Sequence, residues 1–289
     1  MLNNLFAVFG IDFARQLSAP MKTPASTSYD AGNGTTVIDL AGTLSRDGSL
    51  GGSSTDAVRS ELQRLASNPR VDRIILRVNS PGGQSIGCTA LYDTVVEVAK
   101  QKPIIGVIED IGASAAYFAV AGCTRIVANR SSLIGGIGTY AVVEDVSGMA
   151  DAIGVKVHVI KAGKFKGMAE AGTTITPEQL EELQRLVNDI NEQFLNAVAT
   201  GRKLTGDKLQ IVSDSRVWIA RDAKRYSLID EIGTLEDVLA SPVSAPSSAM
   251  QRHQNPSLDF QSRLEAQRRQ RNETFEPSYK QFTLRDVFK

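Results

Sequence analysis

The sequence predicts an α/β protein built on a mostly parallel sheet. Short apolar runs that suit buried strands alternate with helical patterns over residues 36–240. This alternation is typical of parallel sheets, because parallel neighbours need a crossover connection, usually a helix. With 289 residues, the chain is long enough for one large domain or two small ones.

The first half of this region contains strands, helices and one glycine-rich turn in alternation. In chain order the pattern predicts a strand at 36–40, a helix at 54–67, a strand at 72–78, a turn at 79–83, a helix at about 85–100, a strand at 104–108, a small-residue helix at 112–117 and a strand at 125–128. Strand and helix keep alternating, as expected for an α/β fold with mostly parallel strands.

The second half holds one alternating run and one strong helix signal. Residues 155–160 alternate in polarity and suit a strand. A helix is predicted to begin after Thr176, because Pro177 and Gln179 complete a proline start and a capping box. Leu180, Leu183, Val187, Ile190 and Phe194 follow at helical spacing and mark the face expected to pack on a core. A short helix at 234–240 is expected to close the domain.

Composition divides the chain into three parts: 1–35, 36–240 and 241–289. Residues 18–35 are rich in Ser, Thr, Pro and Gly and indicate a linker that follows an N-terminal arm, for which a short helix is one option. From residue 241 a Ser- and Pro-rich linker precedes an Arg-rich tail with scattered aromatic residues. That tail is either disordered or a partner-docking segment.

Charge and scarce residues exclude several functions. The 32 basic and 32 acidic side chains balance, so no global field recruits nucleic acid. No stretch reaches the ~20 apolar residues of a transmembrane segment, and the start lacks the features of a secretory signal. With two cysteines and two histidines, the sequence indicates neither a disulfide framework nor a metal site, and no cofactor is expected.

Two segments could carry acyl-transfer chemistry. The turn at 79–83, Asn-Ser-Pro-Gly-Gly, can present backbone N–H groups to a carbonyl oxygen, although most such turns only reverse the chain. Ser114 lies among small residues at a strand-to-helix junction, where a serine is either a nucleophile or an ordinary helix N-cap.

A serine nucleophile needs a base, and the candidates differ in kind. His158 lies between valines in the alternating run and suits a strand face. A lysine can act as the base when burial lowers its pKa. Lys161, Lys164 and Lys166 follow in a glycine-containing loop, and the chemistry alone does not choose among them.

Together these segments resemble the signal peptide peptidase A, or protease IV, family of Ser-Lys peptidases, which have the ClpP/crotonase fold. The matching motifs, in family order, are VNSPGG at 78–83, Ala-Ser-(small)-(small)-Tyr at 113–117, GGIG at 135–138, IKAGKFKG at 160–167 and LIDEIG at 228–233. The resemblance implies Ser114 as nucleophile, Lys166 as general base, and the N–H groups of Gly83 and Ala115 as the oxyanion hole.

The chain departs from the family pattern at two motifs. Gly136 stands where the family often has a serine that supports the base lysine, so Ser132, Thr139 or a water would have to replace it. Ala115 and Ala116 stand where the usual context after the serine has two glycines, and alanine favours the helix expected there.

The resemblance also implies an assembly and a role. In the short members of the family, Ser and Lys of one site come from adjacent subunits of a ring, so a homo-oligomer acting on peptides or unfolded proteins is expected. Without an anchor, the implied place is the cytoplasm or a phage prohead, where the tail could dock on capsid or scaffold protein. A crotonase-type acyl-CoA enzyme and a non-catalytic scaffold protein with the same fold remain alternatives.

Overall fold

The computed structural model describes residues 27–243 and the backbone of a two-residue strand at Phe6–Ala7. The strands are β1 Phe6–Ala7, β2 Ser28–Gly32, β3 Thr35–Leu44, β4 Arg73–Gln84, β5 Ile104–Ala113, β6 Arg125–Ala128, β7 Leu133–Gly135, β8 Val217–Ile219 and β9 Glu231–Ile232. The helices are α1 Thr55–Ala66, α2 Cys88–Ala99, α3 Ala115–Val120, α4 Ser147–Ala152, α5 Pro177–Arg202, α6 Gly206–Val212, α7 Ala220–Arg225 and α8 Leu235–Ala240.

The strands form one mixed sheet whose central part is parallel. Its main order is β2-β3-β4-β5-β6-β9, and every pair from β3 to β9 along this path is parallel. β7 pairs in parallel with the end of β5, while β1, β2 and β8 add antiparallel pairs to β4, β3 and β7. The predicted α/β fold class with a mostly parallel sheet and flanking helices is therefore confirmed.

Both faces of the sheet are covered, as a parallel sheet requires. Successive residues of β4 point to opposite faces, so Ile74 belongs to the larger apolar cluster and Ile75 to the smaller one. The larger cluster joins buried residues of α1, α2, α3 and α5, and the smaller one includes Leu235 and Val238 of α8. The sheet is thus fixed between two layers, and the strand ends that carry the candidate site are held by both.

Most predicted helices occur where their end signals place them. Ser54 caps α1 by accepting the N–H of Ala57. Thr176 and Gln179 form the predicted capping box at the start of α5, and Thr234 and Asp237 form another at α8. These caps confirm the helices because each satisfies N–H groups that the first turn leaves without partners.

Four predicted segments differ from the structure. The linker expected up to residue 35 is wrong at Ser28–Gly32, which pairs with β3 through a tight Asn33-Gly34 turn. Within the N-terminal arm, Phe6–Ala7 form a strand where a short helix was one option, and the rest of residues 1–26 lies outside the described residues. The turn at 79–83 is part of β4, since Gly82 and Gly83 stay paired with β3.

The fourth difference is the alternating run at 155–160, which forms no strand. Alternation predicts a strand only where an edge is available for pairing, and within residues 27–243 the run pairs with none. Val155, Val157 and Ile160 are exposed instead, and the exposed fraction of Ile160 reaches 95%.

Candidate active site

Ser114 lies at the point where β5 ends and α3 begins, and its backbone is strained. Its φ of 53° and ψ of −126° belong to a region that non-glycine residues rarely occupy. The Ser114 N–H donates to Gly135 O at 2.8 Å, and the Ser114 carbonyl accepts the N–H of Phe118 at 2.8 Å. The conformation is therefore held by bonds on both sides, and the residue is 2% exposed.

The side chain of Ser114 does not cap the helix that follows it. In α3 the N-cap position is Ser114, yet its hydroxyl makes no capping hydrogen bond. An N-cap serine normally has extended backbone angles and accepts an N–H of the first turn. The N-cap interpretation of Ser114 is therefore wrong, and helix capping does not account for the serine.

Helix α3 is fixed at its base by the motif at 228–233. The Tyr117 hydroxyl donates to Leu228 O at 2.7 Å, and burial raises the pKa of that phenol, so it remains a donor. Asp230 accepts the Ile126 N–H at 2.7 Å and bonds both terminal nitrogens of Arg202, at 3.1 and 2.9 Å. The whole of α3 is buried, so Ser114 is seated on a rigid support.

The glycines at the end of β4 lie directly against the serine. A Cβ on Gly82 would lie 2.7 Å from Ser114 Cβ and 2.9 Å from the Ala115 nitrogen, and Gly82 has a φ of +108°. A Cβ on Gly83 would lie 2.0 Å from Leu44 O. Only glycine fits these positions, which leaves bare backbone beside the serine.

Ser80 sets the path of this backbone, a role that sequence reasoning missed. Its hydroxyl donates to Gly42 O at 2.6 Å and accepts the Gly82 N–H at 3.1 Å. The Gly82 N–H therefore has a partner, whereas Ala115 is the first residue of α3, where backbone N–H groups lack helical acceptors. A serine hydroxyl two residues before a Gly-Gly pair is the signal that could have indicated this role, because such hydroxyls bond nearby backbone groups.

The GGIG segment braces the serine from the other side. Gly135 belongs to β7 and supplies the carbonyl that holds the Ser114 N–H. Gly136 donates its N–H to Arg216 O at 2.9 Å and has a φ of +60°, which favours glycine over serine at this position.

Ser132 and Thr139, the two residues predicted to support the base, lie before and after β7 in the chain. Ser132 is fully buried, and its hydroxyl lies 3.0 Å from Ile108 O and 2.7 Å from Glu109 O. It thus joins the turn before β7 to the middle of β5. Thr139 is half-buried where the chain leaves the sheet.

Lys166 occupies a different environment, in a segment that we call the lysine arm, residues 139–175. Apart from α4, the arm has no helix or strand. Lys166 is exposed, and within the described residues no hydrogen bond joins its ammonium to another group. A single chain therefore does not bring Lys166 into hydrogen-bond contact with Ser114.

The arm is also rich in exposed apolar side chains. They are Val142, Met149, Ile153, Val155, Val157, Ile160 and Phe165. The arm's own hydrogen bonds, such as Val155 N to Ala150 O and Ile175 N to Asp145 Oδ2, connect it to itself. One further contact reaches the start of α5, where Lys164 forms an ion pair with Glu178.

The other titratable candidates do not form a site. His158 is exposed on the lysine arm. Cys88 and Cys123 are buried, and burial raises the pKa of the Cys88 thiol to about 12, which keeps it uncharged. Among residues 27–243, no group of three or more His, Cys, Asp or Glu side chains could hold a metal ion.

The fold and the site define an α/β protein in which a serine with a strained backbone lies beside two glycines. The serine hydroxyl does not cap the helix that follows, and this arrangement suits acyl transfer. The model of peptidase family S49 matches residues 97–244, a span that includes both Ser114 and Lys166. The chain belongs to peptidase family S49. The family resemblance predicted from the motifs is thereby confirmed.

Two curated relatives show the range of this similarity. A protein of Methanocaldococcus jannaschii named as a putative protease is 35% identical over 178 residues, which cover 62% of this chain and 57% of that protein. The capsid assembly protease C of Escherichia phage lambda is 26% identical over 219 residues, 73% of this chain and 49% of that protein. The chain thus spans about half the length of these relatives.

Among solved structures, a ClpP1 mutant from Listeria monocytogenes aligns with a TM-score of 0.45 and 15% identity, over 70% of this chain and 94% of that chain. Within the described part of the protein, no helix combines the length and the apolar character needed to cross a bilayer.

Proposed function

We propose that the protein is a serine endopeptidase that cleaves peptide bonds through an acyl-enzyme, with Ser114 as nucleophile and Lys166 as general base. The observation that carries the proposal is the strained backbone of Ser114 at the start of α3, with its hydroxyl unused for capping. Strain of this kind is retained only where the surroundings enforce it, and it concentrates at functional sites.

The proposed reaction uses the Ser114 hydroxyl, the Lys166 amine and two backbone N–H groups. A neutral Lys166 amine takes the proton of the Ser114 hydroxyl, whose oxygen attacks the carbonyl carbon of the peptide bond. The N–H groups of Gly83 and Ala115 stabilise the oxyanion. The protonated lysine gives its proton to the leaving amine, and a water activated by the same lysine then releases the acyl group.

The site is proposed to be completed by a second copy of the chain in a homo-oligomeric ring. Support comes from the lysine arm, where Lys166 and several large apolar side chains are all exposed. Apolar surface concentrated on one segment indicates an interface, because a monomer gains nothing by exposing it. Packing the arm on a neighbour would bury these side chains and carry Lys166 towards that neighbour's Ser114.

Burial in that interface would also favour the uncharged amine that the mechanism needs. Thr139 and Ser132 are the proposed partners that orient the amine, since Gly136 has no side chain to do so. Thr139 is half-buried and accessible, whereas the Ser132 hydroxyl is fully buried against carbonyls of β5 and would have to reorient to accept a bond from the lysine.

The substrates we propose are peptides or unfolded proteins, and the role is processing, either capsid maturation in a phage prohead or peptide degradation in the cytoplasm. The capsid assembly protease of phage lambda among the relatives supports the first role. The C-terminal region at 244–289, which lies outside the described residues, is proposed to dock on capsid or scaffold protein.

The test compares casein cleavage by the wild type with cleavage by Ser114→Ala and Lys166→Ala. Each substitution should lower kcat/KM by about 10³-fold or more, because loss of one member of a nucleophile–base pair removes the function of both. Lys164→Ala is the matched control, since the Lys164 ammonium is engaged by Glu178. It should retain activity within about threefold, in line with a surface ion pair.

A serine-reactive fluorophosphonate separates the proposal from its alternatives. A crotonase-type acyl-CoA enzyme needs no serine nucleophile, and a scaffold protein has no activated one. Labelling of the wild type at Ser114 with no labelling of Ser114→Ala supports the peptidase. Equal cleavage of casein by both proteins, or cleavage by neither, would overturn it.

A further inference from the structure

The strand β1 occupies the edge of the sheet beside the candidate nucleophile. Phe6 pairs with Gln84 and Ala7 pairs with Gly83, in antiparallel orientation. On its other side Gly83 pairs with Leu44 of β3. The N-terminal segment is therefore the second neighbour of the very residue whose N–H is proposed to hold the oxyanion.

This edge is open because β5 leaves β4 before β4 ends. The last pair between these strands is Ser80 with Gly112, after which β5 continues to Ser114. Beyond Ser80, the side of β4 that faced β5 is free for another strand. β1 fills that place, so its backbone runs alongside the last residues of β4, near the start of α3.

The backbone that pairs with β1 also approaches Ser114. Ala7 is opposite Gly83, and the adjoining Gly82 is so close to Ser114 that a Cβ there would lie 2.7 Å from Ser114 Cβ. Adjacent strands are separated by about 4.8 Å. The backbone of Phe6–Ala7 thus lies one strand away from the Gly82–Gly83 backbone that approaches Ser114.

Addition of an extended peptide to a free sheet edge is a common way to bind peptides, because main-chain hydrogen bonds give affinity with little dependence on sequence. Holding the reacting groups side by side also removes much of the entropic cost of the reaction. A strand of the chain itself in this position has the geometry of a bound substrate.

We propose that the protein's own N-terminal segment is a substrate and is cleaved within about two residues of Ala7, the point that the strand register selects. This inference rests on the proposed function. The Ser114 oxygen forms an ester with the carbonyl carbon, the C–N bond breaks, and the new amine takes the proton held by Lys166. Water then hydrolyses the ester, which yields a short N-terminal peptide and a shortened chain with a free edge on β4.

Until that cleavage, the segment competes with other substrates. A tethered segment binds at a high effective concentration, so external peptides are excluded while it is in place. The full chain should therefore cleave casein after a lag that matches the time course of its own truncation.

The experiment follows the intact mass of the full-length chain together with casein cleavage in the same samples. The variants are Ser114→Ala, Ala7→Pro and a matched control, Ala14→Pro. Proline has no N–H and cannot continue a strand ladder, so Ala7→Pro should slow truncation by at least about tenfold. The wild type and Ala14→Pro should lose the same N-terminal peptide, and Ser114→Ala should stay intact.

The outcomes separate this inference from the proposed function. If the wild type cleaves casein but keeps its N-terminus, self-processing is wrong and the peptidase stands. Truncation of Ser114→Ala at the wild-type rate, or of Ala7→Pro at that rate, also overturns the inference. If casein is not cleaved at all, the proposed function fails and the inference fails with it.

Discussion

Ser114 and Lys166 lie in regions of opposite character. Ser114 is buried, its backbone is bonded on both sides, and the helix that follows it is buried throughout. Lys166 is exposed on an arm with little regular structure, next to apolar side chains that are exposed as well. The difference teaches that a single chain completes the half of the proposed site around Ser114, the nucleophile half. The half around Lys166, the proposed base, lies on a surface that the described residues leave uncovered.

The largest effect expected from this comparison is the recovery of activity from two inactive proteins. Ser114→Ala keeps Lys166, and Lys166→Ala keeps Ser114. If each site combines the serine of one copy with the lysine of another, random assembly of the two variants restores about a quarter of the wild-type sites. Casein cleavage after co-refolding measures this recovery.

The control for this experiment mixes Ser114→Ala with the double variant Ser114→Ala/Lys166→Ala, which has no intact serine and should stay inactive. If the two single variants also stay inactive together while the wild type refolds and cleaves casein, both residues of a site come from one chain. The exposure of Lys166 and its arm would then have a cause other than a neighbouring copy.

The second prediction tests the rigidity of the nucleophile half. Arg202 is buried and bonds Asp230, which also accepts the Ile126 N–H. Arg202→Met leaves that carboxylate without its cation and should lower the free energy of unfolding by about 3–5 kcal/mol. Urea denaturation measures the change.

Arg185 provides the matched control on the same helix. It is exposed and pairs with Glu182 and Asp189 on the surface of α5. Arg185→Met should leave the urea midpoint unchanged, because exposed ion pairs contribute little. Similar losses of unfolding free energy for Arg202→Met and Arg185→Met would show that these two positions of α5 do not differ as the structure indicates.

The third prediction concerns the close approach of Gly82 to Ser114. Gly82→Ala places a methyl group against Ser114 Cβ at a backbone conformation that suits glycine, and should cost about 1–3 kcal/mol of stability. Because it displaces Ser114, kcat/KM for casein should fall by more than about tenfold.

Gly148→Ala is the counterpart in the lysine arm. A Cβ there meets no atom within 4 Å, and Gly148 lies in α4. Alanine in a helix is more favourable than glycine by about 1 kcal/mol, so this variant should be as stable as the wild type or slightly more stable. If Gly148→Ala lowered stability as much as Gly82→Ala does, the distinction between the two regions would be contradicted.

The sequence allowed the nucleophile half to be predicted in most respects. Alternation of strands and helices, the caps at Ser54 and Thr176, and the position of Ser114 at the end of β5 all follow from local patterns. Local signals are reliable there because a parallel sheet buries both faces and each residue's neighbours lie within the chain. The assignment of Lys166 as the proposed base came from the family resemblance alone, since the three lysines in the arm were chemically equivalent.

The features that the sequence did not show depend on long-range pairing. The strands at Phe6–Ala7 and Ser28–Gly32 are too short to have a periodicity of their own and exist because β4 and β3 offer them an edge. The turn predicted at 79–83 is extended because Gly82 and Gly83 allow close approach to β3 and to Ser114. The alternation at 155–160 predicts a strand partner, and none of the described strands pairs with it.

The smallest expected effect on stability comes from the arm itself. Ile160 is 95% exposed, so Ile160→Asp should change the free energy of unfolding of the isolated subunit by no more than about 0.5 kcal/mol. The same substitution places a charge in the proposed interface, where an unpaired charge is strongly unfavourable. We therefore expect Ile160→Asp to shift the oligomer towards monomers in sedimentation velocity and to lower casein cleavage in parallel.

Leu50→Asp is the matched control, because Leu50 is an exposed apolar residue, 37% accessible, in a loop outside the arm. It should leave both the sedimentation profile and the activity unchanged. Dissociation caused by Leu50→Asp but not by Ile160→Asp would move the interface away from the arm. Lys166 would then need another way to reach Ser114, because the arm would have no neighbour to cover it.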